Sequence, residues 1–139
     1  MQKKELSVAL GLVVDSEGRL LATRRNEPDN AVDHGKWQFV GGAIEYEERP
    51  EQAVVREVKE EVGLDVKVKN MLPRVITAYW DSPDGSSQVK LYLFSFVCVI
   101  LGGELSLADS EILETRFVSK EEFMALDVMR NVREILEMY

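Results

Sequence analysis

The chain has 139 residues, enough for one domain over 1–139 that buries roughly two thirds of its unfolded surface. Hydrophobic residues make up 45% and charged residues 30%, an ordinary globular balance. The net charge of −8 argues against nonspecific binding to a nucleic-acid polymer or an anionic membrane, and an anionic substrate must therefore meet bound cations or locally placed Arg and Lys.

The opening MQKKELSVAL lacks the apolar stretch of a secretory leader, and no apolar run reaches the length of a membrane span. Leu6–Val14 reads as a buried strand closed by the turn cluster Asp15-Ser16-Glu17-Gly18, with Arg19–Thr23 returning as its hairpin partner. Arg24 and Arg25 end that second strand, and the polar stretch Asn26–Lys36 follows as a flexible loop. His34, the single histidine, has no second His or Cys for zinc-type ligation and reads as incidental. Trp37 and Phe39 alternate with Gln38 as a short strand, after which Gly41-Gly42 allow the backbone to approach a metal or phosphate.

The most informative stretch is Gly42–Leu64 (GAIEYEERPEQAVVREVKEEVGL). Pro50 suits the first turn of a helix, and Gly63 suits the left-handed position that closes one. At about 100° per residue, Val54, Val55, Val58 and Val62 share an inward face. Ala53, Glu57, Glu60 and Glu61 share another, the three carboxylates lying at i, i+3 and i+4. Like charges so placed repel by a few tenths of a kcal/mol per pair, roughly. A divalent cation removes that repulsion, and hard oxygen donors at this spacing suit Mg²⁺ or Mn²⁺. Arg56 lies beside this face, where it can pair with Glu48 or hold a catalytic carboxylate.

Beyond the helix, Asp65–Val68 and Leu72–Trp80 read as strands, Asp81–Ser87 as a turn, and Val89–Leu101 as a long strand. These form a hairpin flanking the helix. Tyr79 and Trp80 could stack on a base, although aromatics in a strand are more often core. Cys98, the single cysteine, lies within the apolar run Phe94–Leu101 and reads as a buried structural thiol, which suits a reducing cytoplasm. Leu105–Glu114 is a loop bearing Asp109, Glu111 and Glu114, and Thr115–Val118 a short strand. Ser119 and Glu122 form a capping box that starts a helix through Leu126. Val128–Tyr139 reads as a final amphipathic helix.

The pattern G-x5-E-x7-R-E-U-x-E-E-x-G-U, with U aliphatic, is the signature of the Nudix hydrolases, and Gly42–Leu64 matches it at every position. Pro50–Gly63 resembles the MutT-like nucleoside triphosphate pyrophosphohydrolases in particular. Trp37–Gly42 resembles their W-x-F-P-G-G, with Val40 where proline is usual. The resemblance implies an α/β/α sandwich with a mixed sheet, and two or three Mg²⁺ held by Glu57, Glu60, Glu61 and the Gly41 carbonyl. It implies Glu111 as a further metal ligand and Arg25 beside the nucleotide, with Arg24 as the fallback. Asp127 or Asn131 would read a base edge. Glu57 is the expected general base, with Glu60 and Glu111 as alternatives, while Arg56 and Glu48 orient. Family members are often dimers, so a homodimer is expected.

The implied reaction takes a nucleoside triphosphate, including oxidised or noncanonical ones, to a monophosphate and pyrophosphate. Nucleotide-sugar, ADP-ribose and dinucleoside-polyphosphate hydrolysis stay open as alternatives. Against ADP-ribose, no proline stands 15 or 16 residues beyond Leu64; Tyr79, at 15, hints at dinucleoside polyphosphates. A non-catalytic nucleotide-binding regulator is the reading outside catalysis, and it would be favoured by loss of a motif acid. None is lost.

Overall fold

The computed structural model describes residues 1–107 and 109–139; Ala108, within the expected loop Leu105–Glu114, lies outside them. The strand that organises it is β1 (Gln2–Val14), because both of its edges are taken. One edge runs parallel to β7 (Ser87–Gly103), from Gln2 opposite Ser87 to Val14 opposite Val99. The other takes β4 (Val40–Ala43) antiparallel, from Val8 opposite Ala43 to Gly11 opposite Val40. β2 (Leu20–Arg25) therefore meets β1 only at Val14 and Leu20, and spends its length on β8 (Ile112–Val118) and β3 (Trp37–Gln38). The expected full hairpin is thus cut short by the insertion of β4. β5 (Leu64–Met71) and β6 (Ile76–Asp81) share the far edge of β7.

Alternation along the strands sends side chains to two cores. Ala9, Val13, Val40, Val66 and Phe96 face the helix α1 (Pro50–Val62) and its Ala53, Val54, Val58 and Val62. Leu12, Leu20, Leu93 and Val97 face α2 (Lys120–Ala125) and α3 (Val132–Met138), through Phe123, Val132, Ile135 and Leu136. A mixed sheet between helices is the α/β/α sandwich that the resemblance implied. Each such apolar side chain contributes on the order of 1.5–3 kcal/mol on burial. No helix among the described residues is long and apolar enough to cross a membrane.

α1 begins at Pro50, where Arg49 N–H donates to Gln52 Oε1 at 2.9 Å, and ends at Gly63 in the left-handed conformation, φ 78°. Ala53 is fully buried with the valines, and Val55 is only partly so, which reverses their expected places. α1 packs on β1, β4 and β5 and touches β7, whose Phe96 and Cys98 share its core, so strands of the expected hairpin do flank the helix. The last helix starts at Val132 rather than Val128. Residues 127–129 are instead paired with Trp37, whose N–H donates to the Asp127 carbonyl while its own carbonyl accepts from Met129 N–H. Asn131, at φ 71°, then turns the chain into the helix. β8 begins three residues before the expected Thr115, drawn out by pairing with Arg25 and Arg24.

A Cβ on Gly63 would sit 2.5 Å from the Glu104 carbonyl oxygen as well as forcing an L-residue into the left-handed region. Gly63→Ala should therefore cost roughly 1–3 kcal/mol, read as a lower urea midpoint at unchanged m-value.

Candidate active site

The sheet and α1 meet where β4 passes the last two turns of the helix. Glu61 reaches across so that its Oε2 accepts the Gly41 N–H at 3.0 Å. Glu57 lies over Gly42 so closely that a Cβ there would be 2.5 Å from Glu57 Oε1. Only glycine leaves room for that carboxylate. The two acids thus sit against an extended backbone, largely out of water.

Their proton affinities follow from that position. Burial, followed by the charge of Glu57, pushes the Glu61 carboxyl up to about 8, with Asp109 and Glu111 adding to the rise and the Gly41 N–H opposing it. Burial likewise raises Glu57, against the Arg56 guanidinium that pulls it down. Arg56 uses all of its donors here. Nε and Nη2 grip Glu48 at 2.7 and 2.8 Å, Nη1 reaches Glu57 at 2.9 Å and Glu60 at 3.1 Å, and Nη2 also meets the Ala43 carbonyl at 3.1 Å. Bidentate pairing of this kind fixes orientation as well as charge. It holds the Glu48 carboxyl down to about 2, with help from the Glu45 N–H. Arg56 therefore does both things expected of it: it pairs with Glu48 and holds Glu57.

A cavity of about 760 Å³ opens beside these acids. Gly41, Gly42, Glu61 and Glu111 line it together with Arg25, Asn30, Asp33 and Gln38 and with the more apolar Leu6, Trp80, Val89 and Leu91. Glu57, Glu60, Arg56 and Glu48 stand behind Glu61 and Gly42 rather than on the wall. Glu60 is the outlying acid, its side chain 60% exposed against 16% for Glu57. Among the described residues no three carboxylate, histidine or cysteine side chains form a ready-made metal cage. The donor set still fits a hard divalent cation, because Glu57 and Glu61 are half-buried oxygen donors whose charge is disfavoured as they stand.

The expected substrate contacts divide. Arg25 lines the cavity and is ion-paired with Glu27. Arg24, on the opposite side of the strand, is spent on the Gly35 carbonyl at 3.0 Å and Glu114 at 3.3 Å. Asn131 lines the cavity, and its Nδ2 donates to Glu134. Asp127 does not; its exposed side chain stands off the wall while its carbonyl holds Trp37. Glu111 is on the wall, its N–H donating to Asp109 Oδ1.

The loop 26–36 is more than the flexible connection expected. His34 Nδ1 accepts the Glu27 N–H at 3.0 Å, and Asn30 Oδ1 accepts from Val32 and Asp33. Asp33 is buried on the cavity wall and went unread in the sequence, although the N-x-x-D turn pattern around it was a visible signal. Trp80 is 44% exposed on the wall rather than core. Cys98 is buried and its thiol is pushed up to about 12 by burial, as a structural cysteine should be.

The family model described as NUDIX domain matches residues 4–139. A Proteus vulgaris protein named 8-oxo-dGTP diphosphatase is 36% identical over 93 residues, covering 67% of this chain and 79% of that one. A Methanocaldococcus jannaschii protein named ADP-ribose pyrophosphatase is 35% identical over 104 residues, 74% of this chain and 56% of that one. Among solved structures, a NUDIX hydrolase from Nitrosomonas europaea superposes with a TM-score of 0.75 at 19% identity, covering 98% of this chain and 88% of that one, a likeness of fold.

The Glu61 carboxyl keeps its proton up to about 8 in the folded protein, against 4.5 for a free glutamate. The folded state therefore binds more protons between those values, and metal-free stability falls as pH rises through that window. Glu48 and Asp84, both held down to about 2, act below it. Thermal midpoints in EDTA should decline from about pH 5 to about pH 8, and decline less in Glu61→Gln. Equal slopes in the two proteins would acquit Glu61.

Proposed function

This chain belongs to the Nudix family, and on that premise we propose that it is a pyrophosphohydrolase that cleaves a phosphoanhydride of a nucleoside diphosphate-linked substrate. The first choice is a nucleoside triphosphate, oxidised or noncanonical ones included: water adds to a phosphorus, and the products are a monophosphate and pyrophosphate. The observation that carries this reading is the pair of half-buried acids, Glu57 and Glu61, set against Gly41-Gly42 beside a nucleotide-sized cavity.

Glu57, Glu60 and Glu61, with the Gly41 carbonyl and Glu111, are the groups that would hold Mg²⁺ or Mn²⁺. When bound, such an ion neutralises phosphate oxygens and acidifies water. The chain's own groups account for the rest. Arg25 meets phosphate oxygens from the cavity wall. Gly42, having no side chain, lets the anhydride approach the acids. Glu57 takes the proton of the attacking water, because a carboxylate raised by burial is a better base than the exposed Glu60 or Glu111. Arg56 and Glu48 fix the direction of Glu57 and Glu60, as groups behind metal ligands commonly do.

A second reading, a nucleotide–sugar or ADP-ribose-type substrate, draws support from the volume of the cavity. At about 760 Å³, and with Leu6 and Trp80 on its wall besides Asp33 and Asn131, it leaves space for a second moiety. The relative named ADP-ribose pyrophosphatase agrees with that space.

Phosphate or pyrophosphate release measured with Mg²⁺ over nucleoside triphosphates, oxidised dNTPs, ADP-ribose, nucleotide sugars and Ap4A tests both readings. Glu57→Gln and Glu61→Gln should each lower kcat by roughly a hundredfold or more while leaving the metal-free melting midpoint unchanged or raised. Parallel loss of folding and activity would overturn the assignment, and no turnover with any metal would leave a nucleotide binder.

A further inference from the structure

Asp33 is the one acidic side chain of the described residues that is buried outright, at 6% exposure, and it lies on the wall of the cavity that Glu61 also lines. Burying a carboxylate is costly unless it is paired or well hydrogen-bonded. Asp33 takes a single side-chain hydrogen bond, from Asn30 Nδ2 to Oδ2 at 3.0 Å. Among the described residues no Lys, Arg or His comes within ion-pair distance of it. The nearest candidates in sequence are engaged elsewhere: Arg25 with Glu27, Arg24 with Gly35 and Glu114. Oδ1 has no partner, and it is not sealed either, since Ser95 Oγ is the sole buried side-chain atom of that kind among the described residues. It opens onto the cavity.

A carboxylate so placed cannot face phosphates, which would repel it. It suits the part of a nucleotide that presents N–H or O–H donors. A planar carboxylate accepts two adjacent donors at once, because its two oxygens offer about four lone-pair sites, of which Asn30 takes one. The same cavity is lined by the apolar Phe39, Ile112, Met129 and Val132, the kind of surface on which a flat ring rests. The base edge with two neighbouring N–H donors is that of guanine, N1–H and the 2-amino group. Adenine and cytosine each offer one amino group beside an acceptor.

We propose that Asp33 is the specificity-determining residue of this site, accepting the paired N–H donors of a guanine-type base. This rests on the nucleotide reading above, and the test separates the two. Calorimetric binding of GMP, IMP, AMP and CMP without divalent metal requires no catalysis. The wild type should bind GMP roughly 10- to 100-fold more tightly than the other three, IMP lacking only the 2-amino group. Asp33→Asn keeps the side chain's shape and an oxygen for Asn30, but turns one acceptor into a donor. It should abolish that preference while leaving AMP and CMP within about threefold. With Mg²⁺, kcat/KM for GTP and dGTP should fall together by a similar factor and that for ATP and CTP should hold.

Equal changes for all four bases would mark Asp33 as a loop-closing residue and overturn the proposal. A loss confined to ribonucleotides would assign it to the sugar hydroxyls and overturn it equally. If Asp33→Asn fails to fold, the wild type still decides, since GMP bound no better than IMP and AMP sinks the inference. Guanine-selective binding without hydrolysis of any anhydride would instead sustain Asp33 and sink the hydrolase reading.

Discussion

Two carboxylates held out of water against an extended backbone are the constraint around which this fold is arranged. Glu61 anchored on the Gly41 N–H and Glu57 laid over Gly42 are unfavourable as isolated charges, and their carboxyls are raised accordingly. They persist there because the apolar stripe of α1 is pinned to β1, β4 and β5 by Ala53, Val54, Val58 and Val62. The core thus sets the distance between helix and strand, and the acids inherit it. Arg56 supplies the local counter-charge and ties the turn at Glu48 to the same helix face. Stability and chemistry are opposed at this point, the usual pattern for a site whose groups must have altered proton affinity.

What was legible in the sequence was what is decided within a few turns of chain. Pro50 and Gly63 bracket α1 because their backbone preferences are local, and the i, i+3, i+4 spacing put Glu57, Glu60 and Glu61 together for the same reason. The capping box at Ser119 and Glu122 was read equally directly. Ala53 was misplaced because one helical stripe can begin under a sheet and end at its edge. Ala53 lies at the covered end of the stripe and Glu60 at the open end.

What was not legible depends on partners distant in sequence. Nothing near Arg19 says that β4 will occupy the edge β2 would otherwise take. The amphipathic period of 128–139 gives no warning that Trp37 captures residues 127–129 and that Asn131 turns the backbone. Asp33 looked like one more polar loop residue. It is buried on a cavity that β3, β4, β8 and the start of α3 also line, elements spread over most of the chain. Arg24 and Arg25 were adjacent and alike as text, and strand alternation gave them opposite duties.

The parallel pairing of β1 with β7 also bears on how the chain reaches this state. Val14 finds its register against Val99, so the middle strand of the sheet stays without its longest neighbour until most of the polypeptide exists. Contacts of such high order close slowly, because loop entropy is spent before the ladder returns it. On a ribosome, the aliphatic run Leu6–Val14 emerges early and waits, an open template for other strands. The three charges at Lys3, Lys4 and Glu5 stand directly before that waiting segment, where they keep its leading end unattractive to self-association.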